Sequence, residues 1–573
     1  MHVLGLMGQR GTLCHDGSAA LFKDGTIVAA VEEERISRNK HAPGEAPSGA
    51  AKYCLRHAGI TFDDVDHVTY GWREFSHKEA VTAEPGDFVS KSASVTKDVL
   101  PTSKFDYGRP PEIYHVDHHV THLMASVVKS GFDDAACLVA DGRGEAYSTS
   151  LAEYTDGTIE IIDRFPIEHS LGFLYEAASK FAGLGRHGGG KLMGLSSYGS
   201  VLETGWFSFD PDSGMFDSPV DSEGSFESAD EWYHDIVKQW QDFFEQTFFP
   251  FRPGTSEAPS YLQNFAATVQ HELESVVLSL VEYLNRNTSS ENLAIGGGVG
   301  LNCAANRKVI LSDHFEDVFL YPAANDAGCS VGSIYEFCRA ADVNVENGQC
   351  DGQMDPYIGP AYTDSVIGQS LNWEEYPELE YVRLLEDELL DRVATDLQEE
   401  KIVGLFQGRL EFGPRALGHR SILGNPTTRE TLYELNELKG RAPWRPLAPS
   451  VLATRFENVF EQSPSRELSK YMTTTAQIDE DWQPKVPAVT HVDGTCRPQL
   501  VTKHLNERYH KLIERFHART DVPMVVNTSF NLSGDPIVNT PQEAVETFDK
   551  TSRMDRLVLE NYYVTRNNTI PRT

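Results

Sequence analysis

The sequence predicts a mixed α/β protein with at least two domains. Its 573 residues are more than one hydrophobic core usually organises, so two or more domains are expected. Short apolar runs that are typical of strands alternate with longer segments of helical periodicity. The turn Asp-Gly-Thr-Ile occurs between apolar runs at residues 24–27 and again at 156–159. This repeat indicates an N-terminal domain that is built from two related halves.

The first half begins with the apolar run Val3–Leu6 and a loop at His15–Ser18. A second run, Ala19–Phe22, leads through Asp24-Gly25 into a third, Ile27–Val31. Asp-Gly between two strand-like runs is a strong hairpin signal. The polar run Glu32–Arg35 that follows is interpreted as an exit to the surface.

The second half repeats this order. The run Ala136–Ala140 precedes the loop Asp141–Glu145, and Ser148–Glu153 precedes the second Asp-Gly turn. A duplicated strand–loop–hairpin unit favours two related halves around a cleft. This is the layout of the actin/hexokinase/Hsp70 superfamily, in which a loop from each half faces the ligand.

A histidine-rich helix is predicted just before the second half. Asp117 is a good N-cap, the helical periodicity extends from His118 to Lys129, and Gly131 is a plausible stop. At about 100° per residue, His118 and His122 lie one turn apart, roughly opposite the apolar face. Two imidazoles on a non-core face can bind one metal ion. A solvated helix that happens to contain several histidines is the alternative.

Two aspartates follow predicted strands. Asp141 comes after the run Ala136–Ala140, and Asp326 comes shortly after Val318–Pro322. Ligand residues of open α/β sheets usually lie at the carboxyl ends of strands. With the two histidines they would form a His2Asp2 site, which suits Fe(II), Mn(II) or Zn(II) better than calcium. Taken singly, each aspartate could also be a turn or cap residue.

Two glycine-rich segments predict anion binding. The first, at residues 185–199, contains Lys191, and the second, Gly296–Asn302, lies between a strand and a helix start. Glycine lets backbone N–H groups approach a phosphate closely. The order of residues is not that of a Walker A loop. Between these segments, residues 203–260 are predicted to be a surface insertion or lid, and Tyr261–Asn287 a long core helix. Four aromatic residues of the insertion are candidates for pocket walls or for buried packing: Trp206, Phe207, Trp232 and Tyr233.

The C-terminal domain is expected to begin near Tyr357, after a linker at Asn344–Pro356. A helix at Leu384–Glu400 and a strand at Ile402–Phe406 precede loops that are rich in glycine, proline and cations. Guanidinium groups bind phosphate in bidentate fashion, so the loops predict a polyphosphate or acyl-phosphate site, with ordinary ion pairs as the alternative for any one residue. The cations concerned are Arg409, Arg415, Arg420, Lys439, Arg441, Arg445 and Arg497.

Charge and composition exclude several classes of protein. With a net charge of −35, the chain should repel nucleic acids and anionic membranes, although an acidic surface can also be an adaptation to salt. The eight cysteines contain no C-x-x-C pair, which argues against a disulfide framework and for a reducing compartment. Neither a signal peptide nor an apolar run of about 18 residues is evident. We therefore expect a cytoplasmic protein.

These motifs together resemble the NodU/CmcH family of O-carbamoyltransferases, which decorate antibiotics and nodulation factors. The resemblance covers nearly the whole chain, in order. Two positions depart from the family pattern: Gly17 stands where alanine is usual, and Ala442 stands where a glutamate beside the phosphate site is usual. The matching segments are His15–Ala19, Asp117–His122, Gly190–Leu195, Gly297–Asn302, Glu411–Gly418, Arg445-Pro446, Asp493–Arg497 and Asn527–Asn531.

The resemblance implies two catalytic domains. Residues 1–350 would form a TsaD-like, actin-like carbamoyl-transfer domain with a divalent metal, Fe(II) in the first place and Mn or Zn as alternatives. Residues 357–573 would form a YrdC-like domain that makes carbamoyl-adenylate from carbamoyl phosphate and Mg-ATP. The carbamoyl group would then pass to a hydroxyl of a small molecule such as an antibiotic or an oligosaccharide.

The family's functional residues map onto this chain in four groups. His15 would be the base that deprotonates the acceptor hydroxyl. The metal ligands would be His118, His122, Asp141 and Asp326. The nucleotide or carbamoyl-adenylate would contact Lys191, Gly194, Gly297, Gly298 and Asn302 in the first domain. Carbamoyl phosphate and ATP would bind Arg415, Lys439, Arg445, Arg497, Asn527 and Ser529 in the second.

Other functions are compatible with the same folds. A tRNA threonylcarbamoyl-type transferase is disfavoured because the chain lacks a basic stripe. An actin-like small-molecule kinase leaves the C-terminal arginine loops without a role. A catalytically inactive regulator is disfavoured because both sites have their full set of residues. A homodimer is the reasonable expectation for the quaternary structure.

Overall fold

The computed structural model describes residues 1–8, 14–73, 99–107, 111–221, 229–248, 259–345, 354–371, 375–461 and 465–567. The chain forms two compact units. Unit 1 comprises Met1–Glu33 and Ala42–Met354, and unit 2 comprises Glu34–His41 and Asp355–Thr573. Part of the predicted linker, residues 346–353, lies outside the described residues.

The segment Glu34–His41 belongs to unit 2. The domain boundaries predicted from the sequence, residues 1–350 and 357–573, place it in the first domain instead. Arg35 donates to the Gly413 carbonyl at 3.0 Å, and Arg38 donates to the carbonyls of Ile537 and Pro536 at 2.7 and 2.9 Å. The expected polar exit to the surface is therefore wrong. Residues 32–35 are all buried, because their charged groups find partners in the interior.

Within the described residues, the strands of unit 1 form two five-stranded sheets and one short hairpin. In the first sheet, in the order β3-β2-β1-β4-β5, the first three strands are antiparallel and the last two run parallel to β1. The second sheet, β8-β7-β6-β11-β12, has the same order and the same strand directions. This identity confirms the predicted duplicated, mixed α/β architecture. The strands are β1 (His2–Met7), β2 (Ser18–Lys23), β3 (Thr26–Glu32), β4 (His67–Tyr70), β5 (Ile113–His115), β6 (Asp134–Ala140), β7 (Tyr147–Thr155), β8 (Thr158–Pro166), β9 (Ser208–Asp210), β10 (Met215–Asp217), β11 (Asn292–Gly296) and β12 (Asp317–Leu320).

Both predicted Asp-Gly hairpins are present. Asp24 and Gly25 turn between β2 and β3 with φ of 47° and 99°, and Asp156 and Gly157 turn between β7 and β8 with φ of 49° and 78°. Two successive residues with positive φ match the twist of the flanking strands, and Asp-Gly adopts that conformation at little cost.

Helices cover the sheets of unit 1, and two of them meet between the sheets. Helix α9 (Cys329–Ala340) packs on strands β1, β2 and β4 of the first sheet, and helix α3 (His118–Ser130) packs on strands β6, β11 and β12 of the second. The two helices also pack on each other. A Cβ at Gly332 would lie 1.8 Å from the Thr121 carbonyl oxygen, so only glycine permits this close approach. The helices are α1 (Glu33–Ser37), which crosses into unit 2, α2 (Ser48–Ala58), α3 (His118–Ser130), α4 (Leu171–Phe181), α5 (Gly189–Ser196), α6 (Ala229–Thr247), α7 (Pro259–Asn287), α8 (Cys303–Leu311) and α9 (Cys329–Ala340).

The aromatic residues of the insertion mostly follow the buried-packing alternative, whereas the first glycine-rich segment differs from expectation. Phe207, Trp232 and Tyr233 are buried, so of the four aromatic candidates only Trp206 keeps partial exposure. Trp206 and Phe207 pack on Trp240, and Tyr233 packs on Phe173, because α6 folds back on α4. The loop expected over residues 185–199 is a helix, α5, across most of its length.

Unit 2 contains an eight-stranded mixed sheet in the order β13-β22-β21-β14-β15-β20-β16-β19 and a two-stranded sheet of β17 and β18, within the residues that the structure describes. Its strands are β13 (Leu379–Arg383), β14 (Val403–Phe406), β15 (Arg420–Gly424), β16 (Ala448–Leu452), β17 (Ala476–Gln477), β18 (Thr495–Cys496), β19 (Gln499–Val501), β20 (Met524–Ser529), β21 (Arg556–Leu559) and β22 (Tyr562–Arg566). Its helices are α10 (Asp364–Ser370), α11 (Glu386–Gln398), α12 (Arg429–Leu438), α13 (Arg466–Lys470), α14 (Glu507–Thr520) and α15 (Pro541–Asp549). The aliphatic and aromatic side chains of these elements form one core.

Among the described helices, none is both long enough and apolar enough to cross a bilayer. No two of the seven cysteines that the structure describes form a disulfide with each other.

Candidate functional site

Helix α3 begins where the sequence predicts. The Asp117 Oδ1 atom accepts a hydrogen bond from the Val120 N–H at 3.1 Å and caps the helix. Its Oδ2 accepts from Arg73 and from Arg164. Burial alone would raise the pKa of Asp117, but the two guanidinium groups outweigh it and lower that pKa. The first turn of α3 is therefore held by a buried, charge-compensated carboxylate.

The histidines of α3 do not lie on a solvated face. His118 and His122 are 0% and 2% exposed, because α3 is enclosed by the second sheet and α9. The expectation of a non-core face is therefore wrong. Polar side chains at full burial require partners.

Those partners are the two predicted aspartates. The Nε2 atoms of His118 and His122 lie 3.2 Å apart. Asp141 Oδ2 is 3.3 and 3.6 Å from them, and Asp326 Oδ1 is 3.7 and 4.0 Å from them. Asp141 follows β6 and Asp326 follows β12, whose carboxyl ends lie at the same edge of the second sheet. The fold thus brings all four predicted ligands to one point.

The surroundings leave the inner donor atoms of this group available to an ion. The His118 Nδ1 lies 3.0 Å from the Gly71 carbonyl oxygen, which takes the N–H and leaves Nε2 as a lone-pair donor. The Gly298 N–H donates to Asp141 Oδ1 at 2.9 Å, so Oδ2 faces the histidines. Donor atoms 3.2–4.0 Å apart fit ligands that are about 2.0–2.2 Å from one central cation. The donor set therefore fits a divalent metal.

The electrostatics of the group favour positive charge at this point. Burial opposes the charging of His122, but Cys329 and Asp141 outweigh it and raise its pKa to about 10. Burial would raise the pKa of Asp141, yet hydrogen bonds with both histidines lower it well below its ordinary value. A pocket that stabilises extra protons in this way also stabilises a cation that replaces them.

Cys329 also belongs to this group, although the sequence analysis did not single it out. Its Sγ lies 3.4 Å from His122 Nε2 and 3.8 Å from His118 Nδ1, at the first residue of α9. The available signal was the pattern Asp326-x-x-Cys329, which places both side chains on one side of a helical turn. The thiol forms one possible ligand group with the two imidazoles, and the same imidazoles form a second group with the two carboxylates.

His15 precedes β2 and is about one-third exposed. Its Nδ1 lies 3.0 Å from Asp16 Oδ2, and its ring centre lies 5.5 Å from that of His187 in the first glycine-rich segment. Burial lowers the pKa of His15, but the hydrogen bond and charge of Asp16 raise it to about 9. His15 is therefore protonated at neutral pH in this arrangement, contrary to the neutral form that its predicted role as a base requires.

Of the residues expected at a nucleotide, two occupy structural positions on or beside helices. Lys191 lies on α5 and donates to the Leu184 carbonyl at 3.1 Å. Asn302 caps α8, accepting from the Ala305 N–H at 3.1 Å, and exchanges hydrogen bonds of 3.0 Å with Gln270. These contacts arise because both side chains lie next to unsatisfied backbone or amide groups.

The three glycines of that set differ in environment. Gly194 is buried within α5. Gly297 has φ of 86°, and a Cβ there would lie 2.2 Å from the Ala140 carbonyl oxygen, so this position requires glycine. Gly298 gives its N–H to Asp141. The second glycine-rich segment therefore orients the carboxylate of Asp141, one of the four predicted metal ligands.

In unit 2, two of the seven conspicuous cations serve the backbone. Arg409 donates to the carbonyls of Ile358 and Gly359. Arg420, fully buried, donates to the carbonyls of Gln407, Gly408, His419 and Pro360, and its guanidinium lies 3.6 Å from the centre of the Phe406 ring. The inclusion of these two arginines in a phosphate site is wrong, because their donors are used by the loop itself.

Glu411 shapes that loop from inside. Its Oε1 accepts from the N–H groups of Leu417, His419 and Arg420 at 2.7, 2.8 and 3.1 Å. One carboxylate that accepts from these three nearby N–H groups fixes the turn that carries Arg415.

Four other cations form a different kind of cluster, which we call the cation cluster: Lys439, Arg441, Arg445 and Arg497. Burial and the charges of Arg445 and Arg497 lower the pKa of Arg441 to about 9. Burial and Arg497 lower the pKa of Arg445. Within the described part of the chain, no carboxylate lies at ion-pair distance from any of the four. A group of cations with no acidic partner is built for an anion.

Lys439 of this cluster contacts the end of strand β20, which also carries Asn527. The Lys439 Nζ donates to the carbonyl and the hydroxyl of Ser529 and to Asn531 Oδ1. Asn527 uses its amide nitrogen on Ala416, Ser450 and Gln499, while its buried Oδ1 has no hydrogen-bond partner in the described residues. Strand β20 therefore holds the Lys439 ammonium group through Ser529 and carries an available acceptor oxygen on Asn527.

Comparison with known families decides what class of protein carries these sites. The family described as "Carbamoyltransferase N-terminus" matches residues 3–334, and "Carbamoyltransferase C-terminus" matches residues 394–566. The chain belongs to the carbamoyltransferase family. It is therefore a carbamoyl-transferring enzyme.

Relatives of this carbamoyltransferase align over most of its length. It is 33% identical to a protein of Synechocystis sp. described as uncharacterized, over 99% of this chain and 97% of the relative. It is 32% identical to the nodulation protein NolNO of Sinorhizobium fredii, over 98% of this chain and 80% of the relative. Among solved structures, HypF of T. kodakarensis is 12% identical, with a TM-score of 0.32 over 60% of this chain and 48% of HypF.

The two matched regions of this carbamoyltransferase contain the two sites. The first region includes the buried His–Asp–Cys cluster and His15, and the second includes the cation cluster, Asn527 and Ser529. Each unit thus carries one chemically distinct site.

Proposed function

We propose that the protein is an ATP-dependent O-carbamoyltransferase that takes the carbamoyl group from carbamoyl phosphate and transfers it to a hydroxyl of a small-molecule natural product. The observation that carries the proposal is the cation cluster of unit 2. A chain with a net charge of −35 places four cations together with no acidic neighbour in the described residues. Such a site favours a substrate with several phosphate charges.

In unit 2, Lys439, Arg445 and Arg497 bind the phosphates of carbamoyl phosphate and ATP, and Arg415 approaches them from the loop that Glu411 fixes. The Asn527 Oδ1 atom is an acceptor, which suits the N–H groups of a carbamoyl group rather than phosphate oxygens. The Ser529 hydroxyl accepts from Lys439 and donates to Asn531 Oδ1, so it orients the ammonium group beside β20.

The proposed reaction in unit 2 has two steps. Hydrolysis of carbamoyl phosphate gives carbamate and inorganic phosphate. A carbamate oxygen then attacks the α-phosphorus of Mg-ATP, and pyrophosphate leaves, so that carbamoyl-adenylate forms. The cations stabilise the charge that develops on the leaving pyrophosphate, the type of electrostatic stabilisation that often dominates phosphoryl and acyl chemistry.

In unit 1 the acceptor hydroxyl attacks the carbonyl carbon of carbamoyl-adenylate, AMP leaves, and a carbamate ester remains. His118, His122, Asp141 and Asp326 would hold a divalent metal, with Fe(II) favoured and Mn(II) or Zn(II) as alternatives, which supplies Lewis-acid polarisation of a carbonyl or phosphoryl oxygen. His15 takes the hydroxyl proton on Nε2 while Asp16 holds Nδ1. This role requires that His15 first lose the proton that Asp16 stabilises.

The test is an assay of the first half-reaction. Purified protein is incubated with Mg-ATP and carbamoyl phosphate, without acceptor, in reducing and metal-replete buffer, and pyrophosphate and carbamoyl-adenylate are measured. Arg497→Ala should abolish both products, whereas His118→Ala should retain them. Arg553→Ala, which alters an exposed arginine paired with Glu437, is the matched control and should behave as wild type.

Failure of the wild type to form pyrophosphate under these conditions would overturn the assignment of unit 2. Loss of pyrophosphate formation in His118→Ala would contradict the division of labour between the units. With the half-reaction established, hydroxylated acceptors can be screened by the appearance of AMP and a carbamate ester.

A further inference from the structure

Cys329 lies within the buried cluster of unit 1, and its place there is specific. The residue is fully buried at the start of α9, three residues after Asp326. Its Sγ is 3.4 Å from His122 Nε2, 3.7 Å from His122 Nδ1 and 3.8 Å from His118 Nδ1. Of the donor types in the cluster, sulfur is the one that the expected His2Asp2 site lacks.

The distances fit a shared ion. A tetrahedral ion with Zn–S of about 2.3 Å and Zn–N of about 2.0 Å separates sulfur from nitrogen by roughly 3.5 Å. The observed separation of Sγ from His122 Nε2, 3.4 Å, matches this value, as the His118–His122 separation of 3.2 Å matches two nitrogen ligands. His118, His122 and Cys329 also form a ligand group without either carboxylate.

We propose that Cys329 is a ligand of the metal centre, so that the centre binds thiophilic divalent cations through His118, His122 and Cys329. The same two histidines also belong to the group that contains Asp141 and Asp326. The proposal rests on the metal centre of the proposed function and deepens it. On binding, the thiol releases its proton to solvent and the sulfur lone pair forms the bond to the ion.

The alternative is that the Cys329 side chain only fills space. It also lies against Gly71, and a Cβ added to Gly71 would lie 2.9 Å from the Cys329 Cβ. Cys338 provides the comparison. It lies on the same helix and is equally buried, but burial alone raises the pKa of its thiol to about 12. A buried thiol can thus occur on α9 without an imidazole beside it, whereas the Cys329 thiol lies against the imidazoles of His118 and His122.

Sulfur ligation predicts a change of metal preference. Thiolate ligands select soft or borderline ions, while carboxylates suit Mn(II) and Mg(II). Removal of the sulfur should therefore weaken Zn(II) and Co(II) binding more than Mn(II) binding. Loss of even an outer partner of a ligand costs about 10–100-fold in affinity, so Cys329→Ser should weaken Zn(II) binding by at least about tenfold.

The experiment is a Co(II) titration of the metal-free full-length protein, read by absorption rather than activity. Wild type should develop a sulfur-to-cobalt charge-transfer band in the near ultraviolet, together with visible ligand-field bands. Cys329→Ser and Cys329→Ala should lose the charge-transfer band, whereas Cys338→Ser, the control on the same helix, should keep it. Competition between Zn(II) and Mn(II) in the same variants gives the change of preference.

Cobalt binding by wild type without the charge-transfer band would overturn the ligand role of Cys329 and leave the His2Asp2 centre standing. No cobalt binding at all would overturn both. Because the wild-type spectrum is decisive by itself, the test does not depend on the folding of any variant. A Cys329→Ser variant that retains the band would also contradict the proposal.

Discussion

Lys439 and Arg420 are both buried cations of unit 2, and their surroundings predict stability changes of very different size when each is replaced by methionine. Lys439 donates to Ser529 and Asn531 but has no carboxylate partner in the described residues. Burial and the charges of Arg441, Lys40 and Arg445 lower its pKa well below the ordinary value. Its charge therefore opposes folding until an anion is bound.

The magnitude follows from these contacts. Lys439→Met removes hydrogen bonds worth about 0.5–1.5 kcal/mol each. It also removes the desolvation and repulsion of an unpaired cation, a penalty of several kcal/mol. The two effects offset each other, so the free energy of unfolding without anion should change by less than about 2 kcal/mol.

Arg420→Met is the matched comparison. Arg420 satisfies four backbone carbonyls and lies near the buried carboxylate of Glu411. Its removal takes the guanidinium donors from those carbonyls and the positive charge from Glu411, and should cost about 3–5 kcal/mol, the usual loss when a buried pair is broken. The two variants should therefore separate clearly in urea unfolding of the full-length protein.

Pyrophosphate supplies the second readout. At 100 times its Kd, a ligand that binds only the folded state stabilises wild type by about 2.7 kcal/mol. In Lys439→Met most of this increment should disappear, because one charge of the cation cluster is missing. Two results would refute this prediction: destabilisation of Lys439→Met without anion as strong as that of Arg420→Met, or stabilisation by pyrophosphate equal to that of wild type.

Three further predictions concern unit 1. Gly298→Ala places a Cβ 2.9 Å from Asp141 Oδ1 and should weaken divalent-metal affinity about 10–100-fold by equilibrium dialysis, whereas Gly190→Ala, with open space around its Cβ, should not. Asn302→Ala removes the α8 cap and should lower the unfolding free energy by about 1–3 kcal/mol equally with and without ATP; a loss confined to the ATP-bound protein would contradict the structural role. Burial raises the pKa of Glu33 to about 7, against 4.5 in the unfolded chain, so stability falls as pH rises between these values. Relative to Glu33→Gln, wild type should lose about 2–3 kcal/mol between pH 5 and pH 8, and a constant difference would contradict this.

Local features of the fold were predictable because neighbouring residues produce them. The two Asp-Gly turns need only two adjacent residues that accept positive φ. Helix α3 begins at His118 because Asp117 caps it, and the long helix α7 follows its apolar periodicity, extending two residues further toward the N-terminus than expected. The repetition of one such local pattern was enough to predict the duplicated sheets of unit 1.

The four predicted metal ligands illustrate an intermediate case. Spacing on one helix paired His118 with His122, and the position after a strand selected Asp141 and Asp326. Their separations of 3.2–4.0 Å depend on the parallel pairing of β6, β11 and β12, which aligns the strand ends. The burial of α3 between the sheet and α9 could not be inferred from a helix whose histidine face is polar.

Other assignments depended entirely on contacts between distant parts of the chain. Arg409 and Arg420 resemble the other arginines of these glycine-rich loops in sequence, but they donate to carbonyls that lie within reach only after the loop has folded. Cys329 meets His122 because α3 and α9 pack closely at Gly332. The sequence by itself determined the family, the duplicated architecture and most of the candidate groups, since these follow from residue type and short-range order. Which cations remain available to an anion, and which donors converge on one ion, was decided by the tertiary structure, because hydrogen-bond partners and burial are set by residues that are far apart in the chain.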